Sequence, residues 1–508
     1  MPKKILKNAG FNTISQVVNM AVSVLFVPAY IYFLGIDGFG IYSFLLLIFS
    51  WVTILQAGID PAVIRMSAKY AAENNHAGIN SLITASLGFQ IVIASLLGLA
   101  IYLAVDNLAL FVIKDEAGFL NEARDALYYS AINIIALMCR NVYVSLFMGL
   151  QRYGVSSVYE SLFQITASLV SLLLLWLGYG IAGMIVARLI LNLASLPILH
   201  FIVKRLVPSF HLGFDMSREL LREIYDFASW IVVGRINRLA LNALPPIFIN
   251  MYIGPSGIAY FNIASRIVSS LNNLLASSTT VMFPFVSELK ALQETGRIKS
   301  LYLGANRVLS LISAPLYSFG VIYSWDILYV WLGADIANNC WLLMALFFVG
   351  YYLSSATMVP STFALGMGKS KILAITGFAQ TVLVLIFLPA LIRAFDILGA
   401  GLNLVLFEAA SVVMVIVITN RIIGASSFTF WIRDRLLMLL VTAAMFLVFV
   451  PLKNTTWGAS STRIETSAYL ACVLLIGLSF YGFLVKHSSL VDQGTKDRLA
   501  RLFRKNQQ

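Results

Sequence analysis

Polar residues recur at helical spacing through an otherwise apolar stretch in the middle of the chain. Residues three or four positions apart share one face of an α-helix, so this spacing predicts a single polar stripe. An arginine inside a bilayer costs roughly 3 kcal/mol on insertion scales, and its guanidinium binds a phosphate through two parallel hydrogen bonds. We therefore expect the stripe to line a cavity that receives an anionic group. The stripe contains Asn262, Arg266, Ser270, Asn273, Ser277, Thr280 and Pro284.

A second charged face precedes this stripe in the sequence. Arg235, Arg238 and Asn242 share one face at helical spacing, and Pro245-Pro246 then interrupts the same apolar segment. We interpret the segment as a broken helix that lines the same cavity. Arginines so close together in apolar surroundings favour a role in binding over a purely structural one.

Amide and hydroxyl side chains form similar stripes on three other predicted helices. They are Asn8, Asn12, Gln16, Asn19 and Ser23 on the first, Glu160, Gln164, Ser168 and Ser171 on the fifth, and Arg188, Asn192 and Ser195 on the sixth. Such walls suit a hydroxyl-rich ligand such as a sugar, although hydrogen bonding between helices gives the same pattern. Arg140 and Arg188 could equally snorkel to an interface or pair with an acid.

The sequence thus gives two groups of candidate site residues. The substrate-binding candidates are Arg235, Arg238, Arg266, Arg140, Arg188, Asn242, Asn262, Asn273, Asn12, Gln16, Asn19 and Gln164. The acidic residues within or beside the predicted spans are Glu160, Glu408 and Asp60. Each of these acids could carry a coupling proton or neutralise an arginine, and we favour the pairing role.

The elements that must position these residues follow from composition. The 508 residues are 60% hydrophobic and only 11% charged, which is far too apolar for a soluble protein. Apolar runs of roughly 20 residues are long enough to cross a bilayer as helices, and we find about fourteen of them. Strand-like alternation is absent, which excludes an outer-membrane barrel. The sequence therefore predicts an all-α polytopic membrane protein.

The distribution of charge predicts topology. The formal net charge is +12, but the basic residues are spread through short loops and form no basic domain, so we expect no nucleic-acid partner. They concentrate in alternate loops and in the tail, and the positive-inside rule then places both termini in the cytoplasm. Cys139, Cys340 and Cys472 are far apart in apolar surroundings, which indicates neither a metal site nor a disulfide framework.

Two glycine-rich turns indicate an internal duplication. Gly35-Ile36-Asp37-Gly38 follows the first predicted span and Gly254-Pro255-Ser256-Gly257 follows the seventh, and their flanking sequences match in register. Six spans is an even number, so both halves enter the membrane from the same side. We expect two parallel six-helix repeats, with the substrate site between them.

This duplication defines the predicted domains. They are a six-helix lobe over residues 1–205, a cytoplasmic linker over 206–224, a second lobe over 225–422, and an appended part over 423–508. The appended part holds spans thirteen and fourteen, Trp431–Pro451 and Thr466–Val485, followed by a basic cytoplasmic tail. Because we count Arg433 and Arg435 with the cytoplasmic loops, these two spans carry no intramembrane charge, and we expect them to face lipid.

Sequence signatures of enzymes are missing. The chain contains neither H-E-x-x-H nor G-x-S-x-G, and Gly368-Lys369-Ser370 lacks the upstream glycine of a phosphate-binding loop. We therefore predict a protein that is not an enzyme and that uses no cofactor.

The glycine turns, the loops Phe147–Gly154 and Leu365–Lys371, and the two added helices together resemble the multidrug/oligosaccharidyl-lipid/polysaccharide exporter superfamily. Within it the chain is similar to the Wzx-type O-antigen and polysaccharide flippases. The resemblance implies a bacterial inner-membrane protein that moves a polyprenyl-diphosphate-linked oligosaccharide to the periplasmic leaflet by alternating access. It also implies a polysaccharide polymerase and chain-length machinery as partners.

Other functions stay open on the sequence alone. A multidrug exporter of the same fold would handle cations, which an arginine-lined cavity repels. A flippase for a lipid-linked peptidoglycan precursor differs only in its glycan. A membrane glycan polymerase or ligase is disfavoured by short outer loops without an acid constellation. Whether a proton, a sodium ion or the membrane potential drives transport is not encoded in a recognisable pattern.

Overall fold

The computed structural model describes residues 2–487, except for residues 56–58, 115, 208–209, 212–242, 281, 425–434 and 453–461. The described residues are almost entirely helical and contain no strand. Among them, nine helices are long and apolar enough to cross a membrane, or ten if one bent pair is a single span. The expected all-α, multi-pass membrane architecture is confirmed, while the count of about fourteen spans stays a prediction.

The first part of the chain forms α1 Pro2–Leu25, α2 Val27–Leu55, α3 Ile59–Ala72, α4 His76–Leu103, α5 Val105–Ile113, α6 Leu120–Gly149, α7 Tyr153–Trp176, α8 Gly180–Leu206 and a helix α9 over residues 243–252. The second part forms α10 Pro255–Thr280, α11 Met282–Ala291, α12 Thr295–Ile322, α13 Ser324–Leu332, α14 Ala334–Gly366, α15 Ser370–Phe395, α16 Leu398–Val417, α17 Leu437–Leu447 and α18 Arg463–His487. Two compact units divide the chain, Met1–Asn262 and Ile263–Gln508.

In the first unit, α6 is the central helix, and α3, α4, α5 and α8 pack against it. A Cβ atom at Gly98 would lie 2.6 Å from the carbonyl oxygen of Ala131, so α4 and α6 approach more closely than a larger residue would allow. At the start of α4, the side chain of Asn75 accepts a hydrogen bond from the backbone N–H of Gly78 at 2.8 Å and caps the helix. Bulky side chains such as Ile83, Leu146 and Phe147 fill the core.

The glycine turns picked out from the sequence lie at helix breaks. Gly35 interrupts α2 with φ 70° and ψ 179°, and Gly254 precedes α10 with φ 113°, a region that glycine adopts readily. A Cβ atom at Gly40 would lie only 1.9 Å from the carbonyl oxygen of Pro255, so α2 packs directly on the backbone that starts α10. Asn250 in α9 also donates to the carbonyl of Phe111 in α5. These contacts place α9 and the first turns of α10 in the first unit.

In the second unit, α14 is central and packs against α11, α12, α13 and α16. The appended helix α17 lies against α12, where Ser318 and Thr442 share a buried hydrogen bond of 2.9 Å and the hydroxyl of Tyr323 donates to the carbonyl of Phe446 at 3.1 Å. The side chain of Phe446 is fully buried. The expectation that the appended helices simply face lipid is therefore wrong for α17, because one of its faces belongs to the core.

Arg435 was assigned to a cytoplasmic loop by charge distribution, and the structure corrects this. Its side chain is 1% exposed and donates to the hydroxyl oxygen of Ser355 at 3.0 Å and to the carbonyl of the same residue at 3.1 Å. The hydroxyl of Tyr352 donates in return to the carbonyl of Arg435 at 2.9 Å. The acceptors on α14 thus satisfy a buried guanidinium and fasten the start of α17 to the central helix.

We expect Arg435→Ala to lower the free energy of unfolding in detergent by about 2 kcal/mol, because hydrogen bonds from a charged donor are lost and their acceptors on α14 stay buried. The matched control is Arg152→Ala, which removes the same charge from an exposed position before α7. Thermal unfolding monitored by circular dichroism measures the difference. Equal stability of the two variants would contradict the fastening role of Arg435.

Candidate functional site

The first group of predicted site residues lies outside the described residues. Arg235, Arg238 and Asn242 all fall within residues 212–242, and their roles stay predictions. The structure describes the predicted proline break only from residue 243 onward. There, Pro245 and Pro246 lie within a helix over residues 243–252. The candidates that the structure describes lie on α10 and on the polar faces of α1, α6, α7 and α8, and each group is described by itself.

Helix α10 has one apolar and one polar face. The side chains of Ala264, Val268 and Leu275 are buried and form its packing face. Arg266 lies on the other side and is half-buried. Although α10 is 26 residues long, it is not among the nine apolar spans, because the polar stripe lowers its hydropathy. A long helix with an accessible arginine is suited to line a water-filled path.

The polar residues of the α10 stripe differ in what they offer to a ligand. The hydroxyls of Ser277 and Thr280 each donate to a carbonyl three residues earlier in the helix at 2.8 Å, so their donor capacity is already used. Asn262 is half-buried and donates to the carbonyl of Ile258 at 3.0 Å. Asn273 is exposed. The stripe thus presents one cation and two amides.

On α1, the predicted polar stripe borders a packing contact. Ser15, which lies outside the predicted stripe, shares a 2.8 Å hydrogen bond with Ser161 and donates to the carbonyl of Ser157 at 3.1 Å. This pins α1 to α7. Gln16 and Asn19 lie beside the contact and are half-buried, and Asn12 lies one turn earlier in the same helix.

Arg140 and Glu160 form an ion pair between α6 and α7. The Nη2 atom of Arg140 donates to both carboxylate oxygens of Glu160, at 3.0 and 3.3 Å. The arginine side chain is 8% exposed, whereas that of the glutamate is 31% exposed. The guanidinium also lies 4.2 Å from the ring centroid of Phe163, within the range of a cation–π contact. Gln164 is half-buried one turn further along α7.

The polar stripe of α8 packs against α6. Asn192 donates to the side-chain oxygen of Asn133 on α6 at 2.8 Å, and both residues are buried. Arg188, one turn earlier, is half-buried and lies close to the hydroxyls of Tyr30 and Tyr42 on α2. Asn133 was not among the sequence candidates, although Ser130 and Arg140 lie on the same face of α6 at helical spacing and are a signal that could have found it.

The two other acidic candidates lie far apart in the chain and in different surroundings. Asp60 lies in the first turn of α3 and is half-buried, where a carboxylate stabilises the helix dipole. Glu408 on α16 is 8% exposed and is hydrogen-bonded to the hydroxyls of Ser354 and Ser411. Glu160 forms an ion pair with one of the candidate arginines, Arg140. No cluster of potential metal ligands occurs among the described residues.

The chain resembles known membrane transport proteins over most of its length. Residues 5–290 match the family described as Polysaccharide biosynthesis protein. The putative O-antigen transporter of Shigella flexneri is 22% identical over 405 residues, which cover 78% of this chain and 94% of that protein. The probable flippase AglR of Haloferax volcanii is 24% identical over 301 residues, which cover 58% of each chain.

Two solved structures share the architecture. An inward-facing multidrug resistance MATE family transporter of the MOP superfamily has a TM-score of 0.68 at 16% identity and covers 81% of this chain and 98% of its own. The lipid II flippase MurJ, in an inward closed conformation, has a TM-score of 0.67 at 15% identity and covers 94% and 100%. These similarities establish the fold.

Proposed function

The chain belongs to the polysaccharide biosynthesis protein family, and we propose that it is a flippase that carries a polyprenyl-diphosphate-linked oligosaccharide across the membrane. The observation that carries the proposal is the accessible arginine in the polar stripe of α10. A diphosphate cannot cross hydrocarbon without losing its hydration, and a guanidinium inside the protein replaces that water. Family membership supports a glycan-bearing substrate, and the position of Arg266 on the polar stripe supports binding of its anionic end.

We assign the two ends of the substrate to different side chains. We propose that Arg266, Arg235 and Arg238 bind the diphosphate and that Arg188 is a further candidate, while Arg140 is held by Glu160 and its role in binding stays a prediction. The glycan is bound by amides, which hydrogen-bond to hydroxyl groups as both donors and acceptors. These amides are Asn12, Gln16, Asn19, Gln164, Asn242, Asn262 and Asn273. An inside-negative potential then favours outward movement of the anion by about 2.3 kcal/mol per charge at 100 mV.

We further propose that the fold contains two parallel repeats within about fourteen spans. The proposal is supported by two series of six helices, α3 to α8 and α11 to α16, whose members correspond in order. Helices α4 and α12 have 28 residues each, and α5 and α13 have 9 each. Helix α6 packs against α3, α4, α5 and α8, and α14 packs against their counterparts α11, α12, α13 and α16. The lobes 1–205 and 225–422, the linker 206–224 and the appended part 423–508 follow from this duplication.

The proposed location is a bacterial inner membrane with both termini in the cytoplasm. Reporter fusions after Gly38 and Gly257 should behave as periplasmic, and fusions after His76 and Lys371 as cytoplasmic, because basic loops are retained on the cytoplasmic side. Alkaline phosphatase fusions detect the periplasmic side, and green fluorescent protein fusions detect the cytoplasmic side. Opposite orientations at Gly38 and Gly257 would remove the argument for parallel repeats.

In this proposal the chain is a transporter and not an enzyme. It receives a finished lipid-linked repeat unit from the enzymes that assemble it and delivers the unit to a polymerase and chain-length machinery on the other side. The protein moves the substrate without forming or breaking covalent bonds.

A flipping assay with purified protein in proteoliposomes tests the proposal. Vesicles contain polyprenyl-diphosphate-linked oligosaccharide, and a membrane-impermeant periodate or lectin reports its appearance in the other leaflet. We expect faster flipping than in protein-free vesicles and no transport of cationic dyes. Transport of dyes without flipping would favour a multidrug exporter. Flipping of a peptidoglycan precursor in preference to the oligosaccharide would identify the alternative lipid substrate, and glycosyl transfer would indicate a polymerase or ligase.

A further inference from the structure

The second unit contains a cavity of about 730 Å³ where α10 ends and α12 begins. Helix α11 forms one side of the cavity. Its walls are apolar and include Met282, Phe285, Leu289 and Leu301, while charged and hydroxyl groups lie at the edge. Volumes of this size accommodate a sizeable part of a small amphiphilic molecule.

Helix α11 has the character of a helix at a membrane surface. Its ten residues expose Phe283 and Phe285, at 45% and 56%, on the same short helix that carries Glu288 and Lys290. Large exposed aromatic side chains beside charges are typical of helices that lie between headgroups and acyl chains. The first turns of α12, which follow, carry the basic residues Arg297 and Lys299, and by the positive-inside rule we place this surface in the cytoplasmic leaflet.

The charged edge of the cavity is more acidic than the sequence suggests, because the nearby lysines point elsewhere. Lys290 donates to the carbonyl of Met367, and Lys299 donates to the carbonyl of Gly424 at 2.7 Å. Glu288 is exposed at the cavity, and the Nη1 atom of Arg297 lies 2.6 Å from a carboxylate oxygen of Glu294. The cavity lining thus contains one carboxylate, that of Glu288, and one guanidinium, that of Arg297, which is already paired with Glu294.

We propose that this cavity binds an aminophospholipid of the bilayer, with one acyl chain against its apolar walls. Glu288 accepts hydrogen bonds from the lipid ammonium group, and the free nitrogen-bound hydrogens of Arg297 donate to the lipid phosphate. A zwitterionic headgroup with a primary amine matches both charges. An anionic headgroup such as phosphatidylglycerol meets the excess of carboxylates, and a choline headgroup cannot donate a hydrogen bond.

This lipid site is separate from the transported substrate. The diphosphate of that substrate carries more negative charge than a single phosphodiester, so the acidic edge disfavours it further. Because the cavity joins the end of α10 to the start of α12, a bound lipid supports the cytoplasmic end of the helix that carries Arg266. We therefore expect the bound lipid to stabilise the second unit, and this effect does not depend on which glycan the protein transports.

Native mass spectrometry of the delipidated full-length protein tests the site. Dioleoyl phosphatidylethanolamine, dioleoyl phosphatidylglycerol and dioleoyl phosphatidylcholine are titrated separately in detergent. We expect phosphatidylethanolamine to bind at the lowest concentration. Glu288→Gln should weaken its binding about tenfold, as for the loss of one charged hydrogen bond, strengthen the binding of phosphatidylglycerol by relieving repulsion, and leave that of phosphatidylcholine nearly unchanged. Leu289→Trp, which fills the cavity, should remove this preferential binding.

The matched control is Glu73→Gln, which makes the same change at an exposed glutamate in the turn before α4. It should bind the three lipids as the unmodified protein does. Arg297→Gln should weaken the binding of all three phospholipids, since each has a phosphate. Equal binding of the three lipids by the unmodified protein, or a Glu288→Gln profile indistinguishable from that of Glu73→Gln, would overturn the proposal. Thermal unfolding confirms that each variant is folded before it is titrated.

Discussion

Arg266→Ala is expected to abolish export of the surface glycan while the protein still inserts into the membrane. The side chain is half-buried and lies on the face of α10 opposite the buried Ala264 and Val268, so its removal leaves that packing face intact. What is lost is the charge that replaces water around the diphosphate. Loss of a charged hydrogen bond to a desolvated phosphate costs about 2–3 kcal/mol, or up to a hundredfold in rate if it acts in the rate-limiting step.

The stripe itself supplies the control for this prediction. Ser277→Ala removes a hydroxyl that donates to a carbonyl of its own helix, so export should remain close to that of the unmodified protein. Arg266→Lys should restore part of the activity, because lysine keeps the charge and loses the bidentate geometry. Complementation of a strain that lacks the gene, at matched protein levels, measures all three. Normal export by Arg266→Ala would remove α10 from the binding site.

Local pattern was enough to predict the polar stripe of α10. The three- and four-residue spacing around Arg266 determines which face is polar, whatever the neighbouring helices are. The same reasoning located the helix breaks at Gly35 and Gly254, since glycine adopts positive φ more readily than residues with a side chain. These features depend on residues close in sequence, and periodicity reports such features well.

Contacts between distant segments could not be predicted in this way. Arg435 and Ser355 are 80 residues apart, and a rule that counts basic residues in loops assigned the arginine to the cytoplasm. Asn133 and Asn192 are 59 residues apart, and only the packing of α6 on α8 brings the two amides together. Periodicity identifies the face on which a polar residue lies, but it does not identify the partner.

The ion pair of Arg140 with Glu160 is another contact between two helices. It leads to the second prediction with a large expected effect. Glu160→Gln leaves a guanidinium that is 8% exposed without its counter-charge, held by a neutral amide and the ring of Phe163. Breaking a buried pair costs several kcal/mol, and because Glu160 is 31% exposed we expect a smaller loss of about 3 kcal/mol in the free energy of unfolding.

A double-mutant cycle separates this effect from simple loss of a side chain. Arg140→Met in the Glu160→Gln background removes the uncompensated charge and keeps an unbranched side chain against Phe163, so the double variant should be more stable than Glu160→Gln alone. The control is Asp106→Asn at the exposed ion pair with Arg124, where the loss should not exceed about 0.5 kcal/mol. Thermal unfolding in detergent measures the four proteins of the cycle and the control. Additive losses in the double variant would mean that Arg140 is stabilised by the aromatic rings and solvent instead of by Glu160, and the carboxylate would then be free to act in transport.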